Sequence, residues 1–345
     1  FLEDKLSDRL HEELTKSFID KRASVLARGL KQDISFETKI ENNEKVLINN
    51  QFIGNLKGLK LELDFKIGDL ETDIKSLKKA ARQNVNPEIS KRISQIIAGK
   101  QIKLKEDRKI YWNNFPIAML SKGTDYLSPE LNLIVDDIVE NEEKFKLHSY
   151  LKKWLDTKIT DELDSLFKLK NINTANAQIR ALSYQLYENN GVIKREEVLD
   201  IINSLSQDER KILRNLGVKF GRYHIFLFKL FKPSVVSLRI LLWKNFNGED
   251  LNLFPPTFGL NFVNNVKYKN KKFMLLCGFE KFNNFFVRID ILERLFIEII
   301  NSNESKSEKI KLIPKMLNLL GCNKESFVKV IKLMGYKVFD EKNET

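Results

Sequence analysis

Cysteine is scarce in this chain: Cys277 and Cys322 are its only two in 345 residues, and they lie far apart. Two distant thiols give no disulfide framework and point to a reducing, cytoplasmic setting. Proline (7) and glycine (14) are also few, which disfavours loop-rich and all-β architectures and favours long helices. Histidine occurs only as His11, His148 and His224, and with the two cysteines it offers no zinc-ligand spacing. No apolar run approaches the roughly 20 residues of a membrane span, and the charged opening residues hold no hydrophobic leader core. Catalytic signatures are missing too. There is no G-x-x-x-x-G-K-[ST], no G-x-G-x-x-G and no G-x-S-x-G, and His11-Glu12 lacks a second histidine four residues on. The acidic pairs Asp136-Asp137 and Glu142-Glu143 lie in charged helical surroundings and read as solvated faces. No catalytic residue, metal ligand or cofactor is therefore expected in this chain.

What the chain does have is positive charge gathered in one place. Lys and Arg (59) exceed Asp and Glu (47), a net charge of +12. From Arg210 to Phe246 there are nine cations and not one acid: Arg210, Lys211, Arg214, Lys219, Arg222, Lys229, Lys232, Arg239 and Lys244. Phe220, Tyr223, Phe226, Phe228, Phe231 and Trp243 are interleaved with them. Cations neutralise phosphates and release counterions, and rings stack on unpaired bases. Rings are also the commonest core residues, and long basic side chains can snorkel out of a core. Two readings are therefore open, a buried aromatic core and a phosphate-facing surface. On the second, Arg214, Lys219, Arg222, Lys229, Lys232 and Arg239 hold the backbone of single-stranded RNA or DNA, His224 touches a phosphate or base, and Tyr223 points outward from a strand to stack. A structural role for His224 is the alternative.

Along the chain, residues 2–30 read as an amphipathic helix with Leu2, Leu6, Leu10, Leu14 and Phe18 at every fourth position. Residues 36–65 alternate like a β-meander. Helical periods follow over 69–82 and over 87–97, with Pro87 placed in a first turn. KIYWNNFPIAML (109–120) then repeats the grammar of KVLINNQFIGNL (45–56), with an offset of 113 − 49 = 64 between the Asn-Asn pairs. That suggests a duplicated small α+β unit. Helices continue from Glu140 to Tyr187 and over 194–205, and Ser206 and Glu209 have capping-box spacing. The stretch 218–228 reads as one strand, and Pro233 opens a helix with Val236, Ile240 and Trp243 on one stripe. This order resembles a helix-turn-helix or winged arrangement, which also serves to bind proteins. Residues 316–339 read as helix, Gly turn, helix and a short strand, before a polar tail.

The expected fold class is α+β, mainly helical, with small antiparallel β-hairpin or meander units and helix-turn-helix-like modules. The expected divisions are an accessory helix (1–31), the duplicated α+β units (32–139), a helical domain with the basic strand-helix segment (140–250), a C-terminal α+β module (251–339) and the tail (340–345).

LEDKLSDRLHEELTKSFIDKRASVLAR (2–28), LGVKFGRYHIFLFKLFKPSVVSLRILLW (216–243), FVRIDILERL (286–295) and LLGCNKESFVKVIKLMGYKV (319–338) occur in this order. Together they resemble the C-terminal half of the alphaproteobacterial superfamily 2 ATP-dependent helicases, relatives of the mitochondrial degradosome RNA helicase. Gly217 to Pro233 and the RIDILERL segment are the most specific parts. The resemblance implies that a two-domain RecA-like motor in cis supplies ATP and Mg chemistry, and that a ribonuclease or the ribosome is a candidate partner. This chain carries no Walker A, DExH or arginine-finger motif, so no family catalytic residue maps onto it. With the first residue Phe1 and not Met, the expectation is a piece of a longer chain.

Overall fold

The computed structural model describes residues 5–11, 13–14, 38–41, 44–48, 51–63, 71–99, 101–174, 176–248, 253–264, 270–282, 285–302 and 313–338. The expected helix over 2–30 falls largely outside them; residues 5–11 and 13–14 are helical. The Asn49-Asn50 turn and the polar tail also lie outside. The fold is α+β, with small antiparallel sheets of three or four strands set among helices. The chain divides into two compact units, 1–155 and 156–345.

The first unit holds two four-stranded antiparallel meanders. One is β1 (Thr38–Glu41), β2 (Lys45–Ile48), β3 (Gln51–Lys57) and β4 (Lys60–Leu63); the other is β5 (Ile102–Leu104), β6 (Lys109–Trp112), β7 (Phe115–Asp125) and β8 (Ser128–Leu133). Their first three strands repeat one another in register at the offset of 64, whereas β7 and β8 pair six residues out of that register, Ala118 facing Leu133 where Gly54 faces Leu63. Ile48 faces Gln51 as Trp112 faces Phe115, and the irregularity between Val46 and Leu47 recurs between Ile110 and Tyr111. Asn113 and Asn114 both have positive φ, 45° and 69°, the geometry of a two-residue hairpin turn whose twist suits the flanking strands. Between the meanders runs α1 (Glu71–Ile97), one continuous helix with Pro87 inside it, where two helices were expected. Ala81, Val85, Ile89, Ile93 and Ile96 make a buried stripe that crosses the proline without a break, so packing offsets the lost backbone hydrogen bond. Arg92, almost fully buried, donates to the carbonyls of Leu56 and Gly58 at 3.3 and 2.9 Å and ties α1 to the first meander. Helix α2 (Asn141–Glu162) spans the division between the units.

In the second unit, α3 (Asp164–Lys170) and α4 (Ala177–Glu188) are followed by β9 (Val192–Lys194), α5 (Leu199–Ser204), α6 (Gln207–Asn215), β10 (Val218–Phe220) and β11 (His224–Leu227). The sheet order is β10-β11-β9, a winged helix-turn-helix arrangement. Ser206 and Glu209 form a complete capping box at the start of α6. The expected single strand over 218–228 is instead a hairpin that turns at Gly221–Tyr223 and runs into a 3-10 turn, Phe228–Phe231.

The arrangement then recurs. Helix α7 (Pro233–Asn247), β12 (Phe262–Asn264), α8 (Lys271–Leu276), β13 (Phe279–Phe282) and β14 (Phe285–Arg288) give a sheet in the order β12-β14-β13. Val218 faces Leu227 as Phe279 faces Arg288, an offset of 279 − 218 = 61 on both strands. Gly217 and Gly278, each with positive φ (97° and 88°), open the two hairpins. Leu227 N–H donates to Gly191 O, and its counterpart Arg288 N–H donates to Asn261 O. Helices α9 (Ile289–Asn301), α10 (Pro314–Leu320) and α11 (Lys324–Leu333) complete the unit, and their apolar faces share a core with Phe285 and Val287. After Gly335 the chain is irregular through 338, with no paired strand among the described residues, where a short strand was expected.

Candidate nucleic-acid interface

The β10–β11 hairpin and the segment after it carry most of the candidate residues, and they fall into two groups. Arg214, Lys219, Arg222, Lys229 and Lys232 are exposed. Arg214 ends α6 with its guanidinium 5.6 Å from the centre of the half-buried Phe220 ring. Lys219 projects from the edge strand β10. Lys229 lies within the 3-10 turn and Lys232 follows it. Among the described residues, none of these five side chains forms an ion pair.

The other three are occupied within the fold. Arg239 is fully buried on α7. It donates to Asn190 O at 2.6 Å and to Leu230 O at 3.4 Å, so it satisfies buried carbonyls and cannot reach a phosphate. Tyr223 was expected to point outward. It is instead half-buried, edge-on to Phe296 with centroids 5.8 Å apart, and its hydroxyl donates to Met334 O at 3.2 Å. Burial first of all pushes its phenol up to about 12. His224, 2% exposed, is inside the unit, the structural role left open above.

The rings follow the core reading. Phe226 stacks on Phe231 at 5.4 Å, and Trp243 packs on Phe273. Of the six rings, only Phe228 is exposed. The exposed cations are also spread along the hairpin and the turn after it. Arg222 precedes β11 and Lys229 follows it, so the four residues of the strand, about 13 Å of extended chain, separate the two ends on which they sit.

At the hairpin turn lies a constellation that the sequence reading missed. Glu293, on α9 and 6% exposed, aims its carboxylate into the turn. The backbone N–H groups of Arg222, Tyr223 and His224 donate to it at 2.6, 2.9 and 2.8 Å. The turn's carbonyls are answered from the other side: Arg195 N–H donates to Tyr223 O and the Arg195 guanidinium to Gly221 O, both at 2.9 Å. His224 Nε2 lies 3.0 Å from Glu280 Oε2 on β13, and Nδ1 lies 3.6 Å from Glu293 Oε1. Lys194 Nζ on β9 reaches Glu280 at 3.5 Å. Burial alone would lower the His224 pKa, but the hydrogen bond to Glu280 and the charges of Glu280 and Glu293 outweigh it and raise the group above its ordinary 6.5. Burial likewise pushes Glu280 up, and His224, Lys194 and Lys271 more than reverse that, holding it below its ordinary 4.5. The His224–Glu280 contact, with Glu293 on its other side, joins the two winged modules.

A sequence signal for Glu293 does exist. It sits among Ile289, Leu292 and Phe296 on the apolar side of α9, where an acid needs buried donors. Its partner lies about 70 residues away along the chain and leaves no local trace.

No group of three or more His, Cys, Asp or Glu that could hold a metal ion occurs among the described residues. Among them, too, no helix is long and apolar enough to cross a membrane. No protein-family model, curated protein or solved structure matches the chain.

Proposed function

We propose that this chain is a non-catalytic C-terminal region of an ATP-dependent helicase, acting on RNA or alternatively DNA, and that it adds an electrostatic hold on single-stranded nucleic acid. The helicase assignment rests on the sequence resemblance. The observation that carries the binding assignment is that Arg214, Lys219, Arg222, Lys229 and Lys232 stay exposed and unpaired with acids among the described residues. With most rings in the core, base stacking contributes little, and the hold is on the backbone. Arg239, His224 and Tyr223 belong to the scaffold that presents these cations.

The test is fluorescence anisotropy of labelled single-stranded oligonucleotides against salt. Single-strand binding loses affinity with a log–log slope of about −0.7 per phosphate contact. Replacing Arg214 and Lys219 together by Ala should flatten that slope by about 1.4 if both touch phosphate. No measurable affinity at low salt would sink the assignment.

A second reading is a docking scaffold for a ribonuclease or the ribosome. What favours it is the loop after α7, where Phe254, Phe258 and Leu260 are 70%, 50% and 45% exposed. Binding of such a partner that is insensitive to salt, with no oligonucleotide affinity, would select it.

A further inference from the structure

The Gly221–His224 turn closes around a side-chain carboxyl group of a neighbouring helix. Three successive backbone N–H groups converge on one carboxylate at 2.6 to 2.9 Å. Gly221 leaves the space that the carboxylate fills: a Cβ there would meet the Glu293 carboxyl carbon at 2.4 Å and its oxygens at 2.6 and 2.7 Å. The imidazole of His224 backs the site from within. Arg222, exposed, stands at its mouth with its guanidinium 6.0 Å from the Phe296 ring. Consecutive N–H groups around a small concavity form an anion-binding nest, and oxyanions of phosphate and carboxylate type fit such nests.

We propose that the turn is an oxyanion-binding nest that the chain closes with its own Glu293, and that a tetrahedral phosphate is the ligand it takes when that carboxylate is withdrawn. Glu293 then works as an internal competitor: while α9 is seated, the hairpin tip of the first winged module presents only Arg222. With the carboxylate withdrawn, the same tip offers three N–H donors and a guanidinium to one phosphate. The phosphate could be free or part of a nucleic-acid backbone; only the second source rests on the binding role proposed above.

The experiment uses the full chain with Glu293→Ala and Glu293→Gln. In thermal melts, inorganic phosphate is titrated against chloride at matched ionic strength. The expected result is a phosphate-specific rise in Tm for Glu293→Ala that the native chain does not show, with a smaller rise in the same direction for Glu293→Gln. If Glu293→Ala does not fold, Glu293→Gln decides. Equal phosphate responses in native and variant chains overturn the nest. A second arm measures a labelled single-stranded oligonucleotide. There the variants should gain roughly tenfold in affinity, the effect of one charge-assisted contact, with a salt slope steeper by about 0.7. A phosphate response without that gain supports the nest and assigns it to free phosphate. A phosphate response also stands if the native chain binds no oligonucleotide, so the two proposals fail separately.

Discussion

Gly221 and Glu293 are in such close register that a Cβ on the glycine would lie 2.4 Å from the carboxyl carbon. The one lies in a hairpin turn and the other on a helix of the next module, and the absence of a side chain at the first is what lets the second reach three N–H groups. Gly221→Ala must therefore expel the carboxylate or shift the helix. Expelling it leaves buried donors unmet at about 1–3 kcal/mol for each such group, and overpacking costs a similar amount. The expected outcome is a loss of about 2 kcal/mol or more in denaturant unfolding of the second unit. Arg222→Ala, whose side chain is exposed, should stay within about 0.5 kcal/mol of the native chain.

The His224–Glu280 contact sets a pH window. His224 is raised above 6.5 in the folded chain, so its contribution is complete below 6.5 and is lost as pH climbs through the folded value. Glu280 is lowered below 4.5, so its contribution is complete above 4.5 and is lost as pH falls through the folded value. The pair should stabilise most between about pH 4.5 and 6.5. The native chain minus His224→Gln, compared across pH by denaturant unfolding, isolates this from other carboxylates. A difference that does not shrink above pH 6.5 would show that the imidazole is not charged there.

The first repeat of strand register was legible because it is written in side chains. The Asn-Asn pair and the flanking apolar alternation recur at 64, so the matched registers around Ile48 and Trp112 follow. The second recurs at 61 only in backbone register: Val218, Lys219 and Phe220 correspond to Phe279, Glu280 and Lys281, which share little chemistry. Charge counting had a related blind spot. It treated Arg222 and Arg239 alike, although the carbonyls of Leu230 and Asn190, set by a 3-10 turn and a helix end, draw one of them into the core. Glu293 shows the same limit, since its donors become adjacent only once the hairpin and α9 have both formed.

Asn114 tests the meander turn. With φ at 69°, it occupies the left-handed region that asparagine tolerates and glycine prefers. Asn114→Gly should leave stability unchanged or raise it by a few tenths of a kcal/mol. Asn114→Val, a β-branched residue forced to positive φ, should cost about 1–3 kcal/mol. Thermal unfolding of the two variants checks both signs. Equal behaviour would mean that the turn is not held in this conformation.

Arg239 separates the structural cations from the binding ones. Its guanidinium is fully buried and serves two backbone carbonyls, Leu230 O and Asn190 O. Truncation to Ala removes both donors and opens a gap in the packing beneath the 3-10 turn, so about 2–4 kcal/mol should be lost. Lysine is no substitute, because one ammonium cannot reproduce the fork that spans two carbonyls. Arg239→Lys should therefore recover only part of the loss. Neither variant, while folded, should change the salt slope of oligonucleotide binding, whereas replacing Arg214 and Lys219 should flatten it without lowering Tm. If Arg239→Lys flattens the slope and keeps the native Tm, Arg239 contacts phosphate, and the division between buried and exposed cations fails.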